Sequence, residues 1–263
     1  VSAPLDTRIS ELERAAAGHW RGTEEEPLGG WLLRAAEGFT GRANSALALG
    51  DPGLPLDEAL AVVTDWYRAR GLPPMVAVPA PLDAPAELDD LFTSRRWFSR
   101  PGPAYVMVAD LAKVPAAREL PDGLETRVDD EPDAEWLRIH RYRGQSDLPP
   151  VRLKVLMSAD RQAFVSIRST GAAGSSGTGV AVAVGRLSLG DGWAGITAVE
   201  VDSAQRRRGL GTAITLAICA AARARGVAKI FLQVEAGNDA AKSLYERCDF
   251  TYSHRYDYRL PPA

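Results

Sequence analysis

A turn rich in arginine and glycine, set between a strand-like run and a long apolar helix pattern, constrains this chain more than any other feature. The segment is Gln205-Arg206-Arg207-Arg208-Gly209-Leu210-Gly211-Thr212. Before it, residues 194–201 (AGITAVEV) read as a strand. After it, Leu210, Ile214, Leu216, Ala217, Ile218 and Ala221 recur at helical spacing, and Gly226 stops the pattern. A helix that opens on a glycine turn presents unpaired backbone N–H groups at the positive end of its dipole, a cradle for phosphate or pyrophosphate. Gly209 and Gly211 allow the backbone to approach an anion closely, and three successive arginines add charge at its mouth. Taken alone, the turn could equally be an ordinary strand-to-helix connection with surface arginines.

The residues downstream narrow the choice. Residues 229–235 (KIFLQVE) read as a second strand, and Asn238 opens another helix with Ala241, Leu244 and Tyr245, ahead of Asp249 and Phe250. The pattern Arg206-x-x-Gly209-x-Gly211, a strand, then Asn238-x-x-Ala241-x-x-Leu244-Tyr245 and Phe250 resembles the GNAT superfamily of acetyl-CoA-dependent N-acyltransferases. The resemblance spans roughly the second half of the chain, with Asp249-Phe250 where the family often has Gly-Phe. It implies an α/β (α+β) fold with a central mixed, mostly antiparallel sheet flanked by helices. It also implies acetyl transfer from acetyl-CoA to a primary amine of a small molecule by direct attack in a ternary complex. Acetylation of a protein N-terminus or lysine, and acetyl-CoA sensing without turnover, are the alternatives.

The same resemblance distributes roles. Arg206, Arg207, Arg208, Gly209, Leu210, Gly211 and Thr212 would hold the pyrophosphate of acetyl-CoA. The backbone of Val199 and Val201 would pair with the pantetheine arm, with Asn238 and Ala241 beside it, and Tyr245 would protonate the departing thiolate. Tyr245 lies seven residues after Asn238, on the same helix face and about 10 Å farther along. The base that accepts the amine proton is less determined. Glu200 is the only acid inside the 194–201 strand, but strand alternation puts it opposite Thr197, Val199 and Val201. A catalytic Glu200, a solvated or structurally paired Glu200, and a water relay to another residue all stay open.

Composition excludes several classes. Of the 263 residues, 46% are hydrophobic and 25% charged, and the formal net charge is −3, so nothing points to a nucleic acid or an anionic membrane. No run approaches the roughly 18 apolar residues of a membrane span, and the N-terminal residues lack a signal-peptide pattern. Two cysteines, Cys219 and Cys248, read as buried thiols, which fits a cytoplasmic location. Three scattered histidines without CxxC or HExxH spacing argue against a metal site. The oligomeric state is left open.

The first half repeats the element order of the second. Residues 5–18 read as a helix, 30–36 and 42–49 as strands, 56–70 as a helix, 75–78 as a strand, 84–95 as a helix and 105–111 as a strand. In the second half, 124–128, 163–168 and 180–189 read as strands, 132–143 and 150–159 as helices, and 171–179 as a flexible hairpin loop. The reading is two GNAT-like domains: 1–112 degenerate and non-catalytic, 113–123 a Pro-rich linker, and 124–263 catalytic. Where the second copy has its cradle, the first has Gly50-Asp51-Pro52-Gly53-Leu54-Pro55, whose prolines lack donors and whose Asp51 would repel phosphate. An unrelated α+β cap is the alternative for this half. Trp31, Arg34 and Asn44, with Trp193 or Tyr252, His254 and Tyr256, are expected to line a pocket for a small-molecule amine.

Overall fold

The computed structural model describes residues 5–80, 87–141, 149–170 and 179–262. The first half runs α1 (Leu5–His19), β1 (Glu24–Leu28), β2 (Trp31–Ala35), β3 (Ala46–Leu47), α2 (Leu56–Arg68), β4 (Val76–Ala80), α3 (Glu87–Ser94), β5 (Phe98–Ser99) and β6 (Ala104–Asp110). The second half runs β7 (Leu124–Asp129), α4 (Ala134–Ile139), α5 (Val151–Leu156), β8 (Arg161–Ser169), β9 (Ala181–Gly190), β10 (Trp193–Val201), α6 (Leu210–Arg223), β11 (Lys229–Glu235), α7 (Asp239–Glu246) and β12 (Thr251–Leu260). The hairpin loop expected over 171–179 lies, but for Gly179, outside the described residues.

Two local expectations are corrected. The strand expected over 42–49 is a 3-10 turn at Arg42–Asn44 followed by only two strand residues. Asn44 is the reason: its Oδ1 accepts from the N–H of Ala36 and Gly38, and its Nδ2 donates to the carbonyls of Phe39 and Thr40, so the side chain organises a loop. β1 went unpredicted because EEEPL has no apolar alternation; it is an edge strand, largely exposed.

The described strands form one sheet in the order β1-β2-β3-β4-β12-β6-β11-β10-β9-β8-β7, with β5 added beside β12. The pairings are antiparallel except β3–β4 and β10–β11. In each half the parallel pair is bridged by a helix, α2 or α6, so both halves carry the order strand, helix, strand, helix, strand. Where two sheets were expected, one continuous sheet is found, because the last strands are exchanged. β6, the end of the first half, pairs with β11; β12, the end of the second, pairs with β4; and β6 and β12 pair with each other. Residues 111–123 then cross over without regular strand or helix, pinned where Arg223 donates to the carbonyls of Leu111 and Val114.

The strand pattern dictates the packing. Nine of the ten residues of β9 are buried, so it reads as a continuous apolar run covered on both faces. On one face α6 lies close: a Cβ on Gly185 would come 2.5 Å from Ile218 Cδ1. On the other face α4 and α5 pack Trp136, Ile139, Val155 and Leu156 against Phe164 and Val184. α1 spans the seam between the halves, with Leu12, Ala16 and Ala17 against Leu47, Ala77, Val106, Phe231 and Tyr256. Cys219 and Cys248 are buried free thiols. No helix among the described residues is long and apolar enough to cross a membrane.

One core residue sets an acid limit on stability. His140, at the end of α4, is 4% exposed, stacks on Trp136, and its Nδ1 has no hydrogen-bond partner among the described residues. Burial, aided by the charge of Arg152, pushes its pKa down to about 4. Between that value and the ordinary 6.5, the unfolded chain binds a proton that the folded chain refuses, so stability falls as pH drops through this window. The full cost, reached below pH 4, is about 3 kcal/mol. Denaturant titrations of the wild type and His140→Phe at pH 7.5 and 4.5 should show the variant gaining about 2 kcal/mol relative to wild type at the lower pH. A difference independent of pH would remove His140 from the account.

Candidate active site

β10 and β11 run together only from Trp193 and Lys229 as far as Ile196 and Leu232. Beyond that point β10 stays with β9 and β11 stays with β6, so the two strands splay. On the side facing β11, residues 197–201 therefore have no strand partner. The gap opens into a cleft of about 950 Å³ that reaches from Ile196, Thr197 and Gln233 to the start of α6 and the exposed flank of α7.

The turn forms one wall. Gly209 caps α6 with φ +77°, a left-handed conformation suited to glycine, and Arg207 is also left-handed at φ +65°. No side chain caps this helix, so its first amides are left for a ligand. A Cβ on Gly209 would meet nothing within 4 Å, which leaves open space in front of those amides. Gly211 also serves packing: a Cβ there would come 2.7 Å from Leu244 Cδ1, so its absence lets α6 and α7 approach. Arg206, Arg207, Gly209, Leu210, Gly211 and Thr212 all line the cleft. Arg208 is not among the lining residues and donates to Gln205 Oε1.

α7 forms the opposite wall. Asn238 caps it, its Oδ1 accepting from Ala241 N at 3.1 Å, and both residues line the cleft. Tyr245 also lines it, nearly buried, with its ring edge-on to Phe250 at 6.0 Å. Burial pushes the Tyr245 phenol up to about 12, so it holds its proton throughout the neutral range. No described side chain hydrogen-bonds its hydroxyl, which leaves it free to donate into the cleft. Asp249 adopts φ +68° in the turn after α7, the geometry the glycine of the family pattern would supply.

β10 departs from simple alternation. A bulge lies between Thr197 and Glu200, with Ala198 at φ +54°. The extra residue puts Thr197 and Glu200 on the same face, where alternation had set them on opposite ones. Thr197 Oγ1 accepts from Arg186 on β9, and the Glu200 carboxylate accepts from Arg141 N at 3.0 Å. Val199 and Val201 point the other way, toward α6. All of 196–201 line the cleft because it sits at the splay, where both faces meet. Glu200 is half-buried and burial raises its pKa, opposed by the Arg141 N–H and the charge of Arg206. Residues 198 and 199 have no register partner in either neighbouring strand.

The residues expected around the acceptor are scattered. Trp31 is in the first-half core and donates to Gly50 O; Asn44 organises its loop; Trp193 is at the far end of β10, against Phe231. Arg34 is buried against Ser45 and lines only a water-sized void, and His254 is buried on Glu13. Tyr252 is exposed beside Tyr105. Tyr256 lines a cavity next to the cleft. From the first-half turn the structure brings in Arg42, which donates to Gln233 Oε1 at 2.6 Å and lines the cleft with it. Among the described residues no His/Cys/Asp/Glu cluster of metal-binding size occurs.

Residues 6–259 match a family model described as "Probable histone acetyltransferase Rv0428c C-terminal". YobR, an uncharacterized N-acetyltransferase of Bacillus subtilis (strain 168), is 25% identical over 265 residues, covering 96% of this chain and 98% of that protein. The chain belongs to the GNAT N-acetyltransferases. As a GNAT protein it is an acyltransferase enzyme. The probable histone acetyltransferase Rv0428c of Mycobacterium tuberculosis (strain ATCC 25618 / H37Rv) is 30% identical over 273 residues, covering 98% of this chain and 76% of that one. The GNAT fold is shared with a GCN5-related N-acetyltransferase from Kribbella flavida, at TM-score 0.67, 16% identity and coverage of 100% and 97%. A tandem GNAT protein from the clavulanic acid biosynthesis pathway aligns at TM-score 0.59 and 15% identity, covering 79% of this chain and 70% of that one.

Proposed function

We propose that this GNAT enzyme moves the acetyl group of acetyl-CoA to the primary amine of a small molecule, both bound together in the splayed cleft. The observation that carries the reading is the parting of β10 and β11 at Ile196 and Leu232, which shares one cleft with the uncapped start of α6. A left-handed Gly209, open space before it and unpaired strand edges at 197–201 fit a pyrophosphate with a long arm attached. When bound, acetyl-CoA supplies an activated acyl carbon and a thiolate leaving group.

The chain's own residues would do the rest. Amides of α6 and the side chains of Arg206 and Arg207 hold the pyrophosphate, and Val199 and Val201 pair with the arm. An amide at the bulge of Ala198 and Val199 polarises the thioester carbonyl. As the C–N bond forms and the C–S bond breaks, Glu200 takes the amine proton, directly or through water, and Tyr245 donates to the departing sulfur. The raised pKa of Glu200 makes it a better proton acceptor than an exposed carboxylate. We further propose a tandem arrangement with the first half non-catalytic. The repeated element order and the tandem GNAT structural neighbour support it.

The mycobacterial relative, a probable histone acetyltransferase, supports a second reading, a lysine on a protein as acceptor. Free-thiol release from acetyl-CoA, measured with a panel of small amines and a lysine-rich peptide, decides between them. Turnover of a small amine at a kcat/KM at least ~10-fold above that of the peptide is the expected result. Release with the peptide alone would replace the small-molecule reading.

A further inference from the structure

A second cavity, of about 230 Å³, opens beside the cleft and shares Arg42, Gln233, Val234 and Glu235 with it. Its remaining walls come from the first half and from β12: Thr40, Arg100, Tyr256 and Tyr258 among them. It adjoins the cleft along Gln233, Val234 and Glu235, where β11 has parted from β10.

The cations around it are uncompensated. Arg42 has a single hydrogen bond, to the neutral Gln233, and stacks over Trp20 at 4.9 Å. Arg100 lies 4.3 Å over the Tyr258 ring, its Nη1 makes only a long contact with Met75 Sδ, and its Nε is buried with no partner. Behind them Arg34 and Arg186 are fully buried on neutral oxygens, and Arg186 Nη2 is also unpartnered. Among the described residues none of the four has a carboxylate within 4.0 Å. Arg42, Arg34 and Arg100 all act on the Tyr258 phenol, opposing the rise that burial imposes. Glu13 nearby is committed to His254. Buried guanidiniums without counter-charge are costly, and an anionic ligand removes the cost. One carboxylate, Glu235, sits at the junction of cavity and cleft without an ion-pair partner among the described residues. Arg42 and Glu235 thus both line the junction of cavity and cleft, while Arg100 lines the cavity alone.

We propose that this cavity is the acceptor subsite and takes a primary amine that also bears a carboxylate, the carboxylate resting on Arg42 and Arg100 and the amine lying at Glu235 in the cleft. The proposal rests on the acetyl-transfer reading and adds the acceptor's chemical class. A monoanion suits it better than a phosphate, because Glu235 lines the same small space. A lysine-rich peptide brings further positive charge to a positive wall and suits it least.

The test has two arms, each run on the wild type, Arg42→Gln and Arg100→Gln, with thermal melting to confirm folding. In the first, thiol release is measured with amino acids, their carboxamides, the decarboxylated amines and a lysine-rich peptide. The carboxylate-bearing amine should exceed its carboxamide in kcat/KM by about 10- to 100-fold, mainly through KM, and the ratio should fall to about 3-fold or less in either variant. In the second arm, calorimetry with N-acetyl amino acids, which need no turnover, should show binding that both substitutions weaken about 10-fold or more. Arg100→Lys, which keeps the charge but not the planar fork, should fall between wild type and Arg100→Gln, and it serves if the latter fails to fold. Equal turnover of the carboxamide, a preference for the peptide, or a carboxylate preference that survives both substitutions overturns the subsite and leaves acetyl transfer standing. Carboxylate binding lost in the variants, with no amine turned over, keeps the anion site and removes the transfer reading.

Discussion

Replacing Gly209 with aspartate is expected to weaken acetyl-CoA binding by about 100- to 1000-fold. The substitution sets a carboxylate in front of the uncapped amides of α6, where a Cβ meets open space and the side chain is free to point at the anion. Two like charges about 4 Å apart at a partly screened protein surface repel by roughly 4 kcal/mol. Part of that is relieved when the aspartate turns aside, and each ~1.4 kcal/mol retained costs a factor of ten. The backbone is not the cause, since aspartate tolerates the left-handed conformation at φ +77° better than most residues. Gly209→Asn separates the two effects: similar shape and backbone tolerance, no charge, and an expected loss of about tenfold or less. Calorimetric titration reads both. Equal losses in the two variants would show that shape, rather than charge, governs the site.

Replacing Tyr245 with phenylalanine is expected to lower kcat about 100-fold while leaving the KM for acetyl-CoA within about twofold. The ring keeps its edge-on contact with Phe250, so the substitution removes an O–H and little packing. A phenol pushed up to about 12 is fully protonated at neutral pH, but it gives that proton to a thiolate reluctantly, because an ordinary thiol titrates near 8.5. On the proposed mechanism its chief contribution would therefore be a hydrogen bond to the sulfur as charge develops. An acetyl donor with a more acidic thiol needs less of that help and should narrow the deficit of the variant. An unchanged kcat, or a deficit indifferent to the leaving group, would take Tyr245 out of the reaction.

The second half was legible where its signals are local. The Arg206–Gly211 turn, the cap at Asn238 and the placement of Tyr245 depend on neighbours within a few residues, and the structure places all but Arg208 of this set on the cleft. The bulge in β10 was hidden because Ala198 takes a positive φ with no glycine to mark it, and a single extra residue was enough to bring Glu200 and Thr197 to one face. The acceptor side was misread for a related reason. Polar residues in the first half looked available when seen one at a time, yet Asn44 and Arg34 spend their hydrogen bonds on neighbouring backbone and on Ser45. The contacts of Arg42 with Gln233 and of Arg100 with Tyr258 are not local, since they form only after segments more than 100 residues apart are folded together.

The pairing of β6 and β12 between β4 and β11 has a genetic meaning as well as a structural one. A gene cut at 113–123 would yield two fragments, each missing the neighbour its own sheet requires and each exposing an open central edge. Neither fragment can be inherited, recombined or lost as a free-standing module. On the tandem reading proposed above, such an exchange of terminal strands would keep a copy without a cofactor cradle from being discarded. It would remain as the scaffold that holds Arg42 and Arg100 at the second cavity.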